Sequence, residues 1–107
     1  MELYKRLVEQ QLTHKGELWV EVKGISMLPT LKNGEKVRIV AKEKYQKGEI
    51  VMFCYKDRFL VHRIVKIIKD RCFCKGDNTM SLERISIQDI IGKVEKCQEE
   101  GGGDGIF

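Results

Sequence analysis

The chain has 107 residues, 20 of them basic and 16 acidic, for a formal charge of +4. That length suits one domain with a single modest core, and 42% apolar with 34% charged residues is a globular rather than a disordered composition. The longest apolar run, Ile50 to Tyr55, is far short of the ~20 residues that cross a bilayer, and no apolar stretch follows Lys5 and Arg6, so the sequence predicts a cytoplasmic chain rather than a spanning protein, a secreted precursor or a multidomain enzyme.

Leu3, Leu7, Val8 and Leu12 fall at helical spacing and predict a helix over 2–13, with Leu3, Leu7 and Leu12 packed across a sheet. Leu18, Val20 and Val22 then alternate with Trp19, Glu21 and Lys23, the period of a strand. Gly24 to Leu31 is a loop holding the only proline, Pro29, and Lys32 to Glu35 is a turn. Val37, Ile39 and Ala41 mark a second strand, and Gln46 to Glu49 a second turn. Ile50–Tyr55 and Phe59–Ile68 read as a hairpin across Lys56-Asp57-Arg58. A tight return at Asp70 leads into Cys72–Lys75, which Gly76-Asp77-Asn78 breaks, and a turn after Ser86 precedes a last strand over 90–94. The expected organisation is a leading helix and linker (1–17), a mostly β domain (18–97) and a flexible Gly-rich tail (98–107).

Charge is uneven along the chain. Residues 32–75 carry 13 basic and 5 acidic side chains, a surplus of +8. The cations are dispersed and lack interleaved aromatics, so no nucleic-acid partner is expected, whereas peripheral contact with a membrane is allowed. Cys54, Cys72, Cys74 and Cys97 are expected as reduced thiols, and the C-x-C spacing of Cys72 and Cys74 suits buried small hydrophobes better than a metal site. No metal and no cofactor is expected.

Three places could carry chemistry. Ser26 sits in a Gly/Pro loop after a strand, where a rigid turn can present a hydroxyl beside a free N–H, although most serines in such loops are turn residues. His62 shares a strand face with Leu60 and Ile64. Asp77 projects from a strand end, as a carboxylate that could orient a histidine. His14, in the helix-cap region, carries no expected role.

The boxes around these residues resemble the signal peptidase I family and its relatives, which share a core with LexA-type self-cleaving proteases. Gly24-Ile25-Ser26-Met27-Leu28-Pro29-Thr30-Leu31 is similar to the family's nucleophile box. Asn33-Gly34-Glu35-Lys36-Val37, Lys47-Gly48-Glu49-Ile50-Val51, Val61-His62-Arg63-Ile64, Lys75-Gly76-Asp77-Asn78 and Asp89-Ile90-Ile91-Gly92-Lys93-Val94 follow in the family's order. The resemblance covers roughly Leu18 to Val94 and implies a LexA/signal peptidase-like coiled β-sheet, or partly open barrel, with one N-terminal helix. It implies Ser26 as nucleophile, His62 as general base and then acid, and Asp77 as the orienting carboxylate. Typical bacterial members carry Lys where this chain has His62, and a histidine needs orientation rather than a large pKa shift.

The same resemblance implies backbone oxyanion support around Gly24 and Ser26, and a groove bordered by Ile25, Met27 and Pro29. Glu83 stands near the place where relatives carry a second acid. A serine endopeptidase acting on a leader- or signal-type peptide is the implied function, with small residues on the acyl side of the scissile bond. A weak or inactive peptide-binding module on the same fold is the alternative, as is a LexA-like regulatory domain, for which the residues before Leu18 are too few to form a helix-turn-helix unit. The sequence does not specify an oligomeric state.

Overall fold

A computed structural model describes residues 2–97. Helix α1 (Glu2–Lys15) leads into seven strands: β1 (Leu18–Glu21), β2 (Lys36–Val40), β3 (Ile50–Tyr55), β4 (Arg58–Ile68), β5 (Arg71–Lys75), β6 (Glu83–Ser86) and β7 (Ile90–Cys97), with a single 3-10 turn over Ile87–Asp89 before β7. They form one antiparallel sheet in the order β1-β2-β7-β3-β4-β5-β6, curled into a half-barrel. The mostly β fold with one N-terminal helix is the class the sequence implies. The residues of the expected Gly-rich tail lie outside the described ones.

The sheet buries both of its faces. One core gathers Leu12, Val22, Met27, Leu31, Val37, Ile39, Met52 and Ile91. The other gathers Val51, Phe53, Ile64, Cys72, Cys74, Ile85 and Ile90. Strand β3 supplies side chains to both cores, Val51 and Phe53 to one and Met52 to the other. Successive strand residues point to opposite faces, so a strand covered on both sides needs an unbroken apolar run, and Ile50 to Tyr55 is that run. Cys72 and Cys74 are buried as small apolar groups, in agreement with the sequence.

Two turns of the same construction deliver β2 and β3. Glu35 N–H donates to Lys32 O, and Glu35 Oε1 accepts from Lys32 N–H at 2.9 Å. Glu49 N–H donates to Gln46 O, and Glu49 Oε1 accepts from Gln46 N–H at 2.9 Å. Each has its third residue in the left-handed region, Gly34 at φ 88° and Gly48 at φ 96°, where a Cβ would be strained. The hairpin between β3 and β4 turns on Lys56 and Asp57, with φ of 48° and 63°, as a two-residue type I′ loop requires.

Two elements depart from the sequence reading. Helix α1 packs by Val8 and Leu12, whereas Leu3 and Leu7 are 69% and 53% exposed, so they do not cross the sheet as expected. Val8 and Leu12 seat the helix on the core, and Tyr4 meets the Phe59 ring at a centroid distance of 5.6 Å. Strand β6 is absent from the sequence reading because four residues with one apolar side chain, Glu83-Arg84-Ile85-Ser86, carry too little alternation.

Candidate active site

The loop between β1 and β2 carries Ser26, and β4 carries His62. Ser26 Oγ lies 3.0 Å from His62 Nε2, and His62 Nδ1 lies 2.9 Å from Glu83 Oε1. The His62 and Glu83 side chains are only 8% and 10% exposed. The His62 ring meets Phe53 edge-on, with centroids 6.2 Å apart. With the imidazole proton on Nδ1, Nδ1–H donates to Glu83 and Nε2 accepts from the serine hydroxyl. Such a chain can draw the proton from the hydroxyl and stabilise the imidazolium that results. Among the described residues the Ser26 N–H has no hydrogen-bond acceptor, so it is available to an oxyanion.

The carboxylate on His62 is therefore Glu83, where the sequence favoured Asp77. Side-chain parity accounts for the difference. Glu83 pairs with Cys74 and Cys74 with Ile64, so Glu83 projects on the face that His62 shares with Ile64. Arg63 pairs with Lys75, which puts Gly76 across from His62 and Asp77 on the Arg63 side.

Asp77 is held there by several donors. Arg63 Nε donates to Oδ1 at 2.8 Å and Arg63 Nη2 to Oδ2 at 2.7 Å, while Thr30 Oγ1 donates to Oδ2. The guanidinium lowers the Asp77 carboxyl from 3.8 to about 2, against the opposing effect of burial, with Thr30 assisting. Arg63 Nη1 also donates to Gly48 O at 2.7 Å. This cluster ties the β2–β3 turn, β4, the serine loop and the β5–β6 loop together. No sequence signal singled out Thr30, and Arg63 was read only as part of a box.

The turn at Gly76 to Asn78 grips the serine loop directly. Asn78 N–H donates to Ser26 O at 2.8 Å, and Asn78 Nδ2 donates to Ile25 O at 3.0 Å. A Cβ on Gly76 would lie 2.5 Å from Ser26 O and 3.2 Å from His62 Nε2, so only glycine lets the two loops close. For Gly24 the sequence implied backbone oxyanion support. Gly24 instead has open space around it, sits at φ 88° and donates its N–H to Asn33 Oδ1 at 2.7 Å.

A cavity of about 150 Å³ opens beside Ser26. Val20–Lys23, Met27, Met52 and Phe59–His62 line it together with Ser26. Of the expected groove residues Met27 is in this wall, whereas Ile25 and Pro29 are exposed and lie outside it. Val20, Val22, Met52 and Phe59 were read only as strand residues, because nothing in the sequence tells which strands curl toward the serine. No helix among the described residues is long and apolar enough to cross a membrane.

No curated protein matches this sequence. The model of the family described as Peptidase S24-like matches residues 2–95, a span that takes in α1, Ser26, His62 and Glu83, and the chain belongs to that family.

Proposed function

We propose that the protein is a serine endopeptidase of the signal peptidase I-like kind, with Ser26 as nucleophile, His62 as general base and then acid, and Glu83 as the group that orients the imidazole. The observation that carries this reading is the hydrogen-bonded chain from Ser26 Oγ through His62 to Glu83. Oγ attacks the scissile carbonyl as Nε2 takes its proton, and the oxyanion is met by the Ser26 N–H. The imidazolium returns the proton to the leaving amine, and the acyl-enzyme remains. Water, deprotonated by the same imidazole, then releases it. The 150 Å³ cavity, walled by Val20, Val22, Met27, Met52 and Phe59, suits a small apolar residue such as Ala on the acyl side of the bond.

Comparing Glu83→Gln with Asp77→Asn on a fluorogenic leader-type peptide tests the assignment. Loss of the carboxylate behind a serine–histidine pair costs of order 10⁴ in kcat. Glu83→Gln should therefore lose about 10³–10⁴-fold, Ser26→Ala should be inactive, and Asp77→Asn should lose far less. A Glu83→Gln protein that turns over at the parent rate rejects the proposal.

A further inference from the structure

We infer that Lys75 is a positioning residue for the nucleophile: its ammonium group locks the turn that holds the Ser26 loop in place. The inference rests on the Ser26–His62–Glu83 reading and adds to it a residue outside that chain of three.

Lys75 ends β5 opposite Arg63, so the two side chains leave the same face of the sheet. Like charges directly across from each other destabilise a pair of strands unless each has acceptors of its own. Here the acceptors divide. Arg63 takes the Asp77 carboxylate and Gly48 O. Lys75 Nζ donates to Gly76 O at 2.9 Å and to Thr79 O at 2.8 Å, and so bridges the first and last residues of one turn. Gly76 O also accepts from Thr79 N–H at 3.1 Å and from Thr79 Oγ1 at 3.2 Å.

The bridged turn is the one that seats the serine. Asn78, between the two bridged carbonyls, donates its N–H to Ser26 O and its Nδ2 to Ile25 O, and Asp77 N–H donates to Met27 Sδ at 3.3 Å. Beyond Thr79 the sheet gives no support: Met80, Ser81 and Leu82 are exposed and belong to no strand. The next buried residue is Glu83, on His62 Nδ1. Fixing Thr79 O therefore sets the seat of the serine loop and the point from which the chain runs to Glu83. Hydrogen bonds from an ionised donor are roughly twice as strong as neutral ones, and the flexible lysine stem lets one head reach two carbonyls. Lys75 is not among the residues that wall the cavity beside Ser26, so its removal leaves those walls intact.

Lys75→Met removes the donor and keeps an apolar stem. A misplacement of 1 Å costs about 10²-fold in rate, so release of the turn should slow fluorophosphonate labelling of Ser26 roughly tenfold, with kcat on a leader-type peptide falling alike and KM staying within about twofold. Hydrogen exchange followed by NMR should find the Asn78 amide exchanging about tenfold faster, with core amides such as that of Phe53 unchanged. Lys75→Cys treated with 2-bromoethylamine regains an ammonium on a stem of lysine's length. Labelling and exchange should then return to within about threefold of a parent treated in the same way. Untreated Lys75→Cys replaces Lys75→Met if circular dichroism shows that the latter does not fold.

Parent labelling and parent Asn78 exchange in Lys75→Met overturn the inference. So does a loss confined to KM, or one that aminoethylation leaves in place. A parent that labels at Ser26 yet cleaves no peptide rejects the endopeptidase, and the labelling and exchange rates then decide the role of Lys75. Cleavage at the parent rate by Lys75→Met keeps the peptidase and rejects the positioning role. A parent that neither labels nor cleaves rejects both.

Discussion

Replacing Gly76 by alanine tests how the serine is held. The added methyl would stand 2.5 Å from the Ser26 carbonyl oxygen, 3.1 Å from Ser26 Cβ and 3.2 Å from His62 Nε2. The first of these must open to at least 3.0 Å, so backbone has to move by 0.5 Å or more (3.0 − 2.5). The same oxygen accepts the 2.8 Å hydrogen bond from Asn78 N–H, which stretches as the two segments separate. Overpacking costs about 1–3 kcal/mol and the weakened hydrogen bond about 1 kcal/mol, for a total of about 2–4 kcal/mol of stability. A misplacement of 1 Å can cost about 10²-fold in rate, so half of that predicts a loss of roughly tenfold or more. Urea denaturation measures the first quantity. The rate of Ser26 modification by a fluorophosphonate probe measures the second, at a temperature where circular dichroism shows the variant folded. A Gly76→Ala protein with the parent's midpoint and labelling rate would show that the two loops are not in the contact described.

Asp77→Asn should destabilise the fold by about 1 kcal/mol at neutral pH. The carboxyl is held near 2 in the folded chain against 3.8 ordinarily, which sets a ceiling of about 2 kcal/mol, and the partly open flank of the Arg63–Asp77 pair reduces it. Because the folded value is the lower one, the parent's advantage is present above about pH 4 and fades as the pH falls toward 2. Urea titrations of both proteins across that window check it, and an advantage that persists at pH 2 contradicts the assignment. Cys72 and Cys74 have no exposed surface, and burial pushes both thiols up. Iodoacetamide followed by peptide mapping should find both unmodified until denaturant is added, and modification of either in the folded protein would refute their burial.

The sequence disclosed more of the fold than of the site. Strands announce themselves by period, and Ile50–Tyr55 was legible as one strand of a hairpin, whereas its burial on both faces depends on the strands and loops that pack around it. The Ser26–His62 pair was legible because both residues sit in boxes whose order a known family shares. The third member was harder. Asp77 stands next to an obvious turn and Glu83 opens an unrecognised strand, yet what separates them is which face of the sheet each occupies. That parity depends on the β4–β5–β6 register, which emerges only when strands pair. Likewise, periodicity marked Leu3 and Leu7 as apolar and helical, but how far the sheet extends beneath the helix is a tertiary property.

On the endopeptidase reading proposed above, the two-residue turn at Lys56 and Asp57 has a consequence for how a substrate is presented. Among the described residues the bend places only two residues between β3 and β4, so the hairpin sends no long loop across the cavity beside Ser26. A cleavable stretch offered from a folded carrier on a short tether therefore meets no long loop from this hairpin.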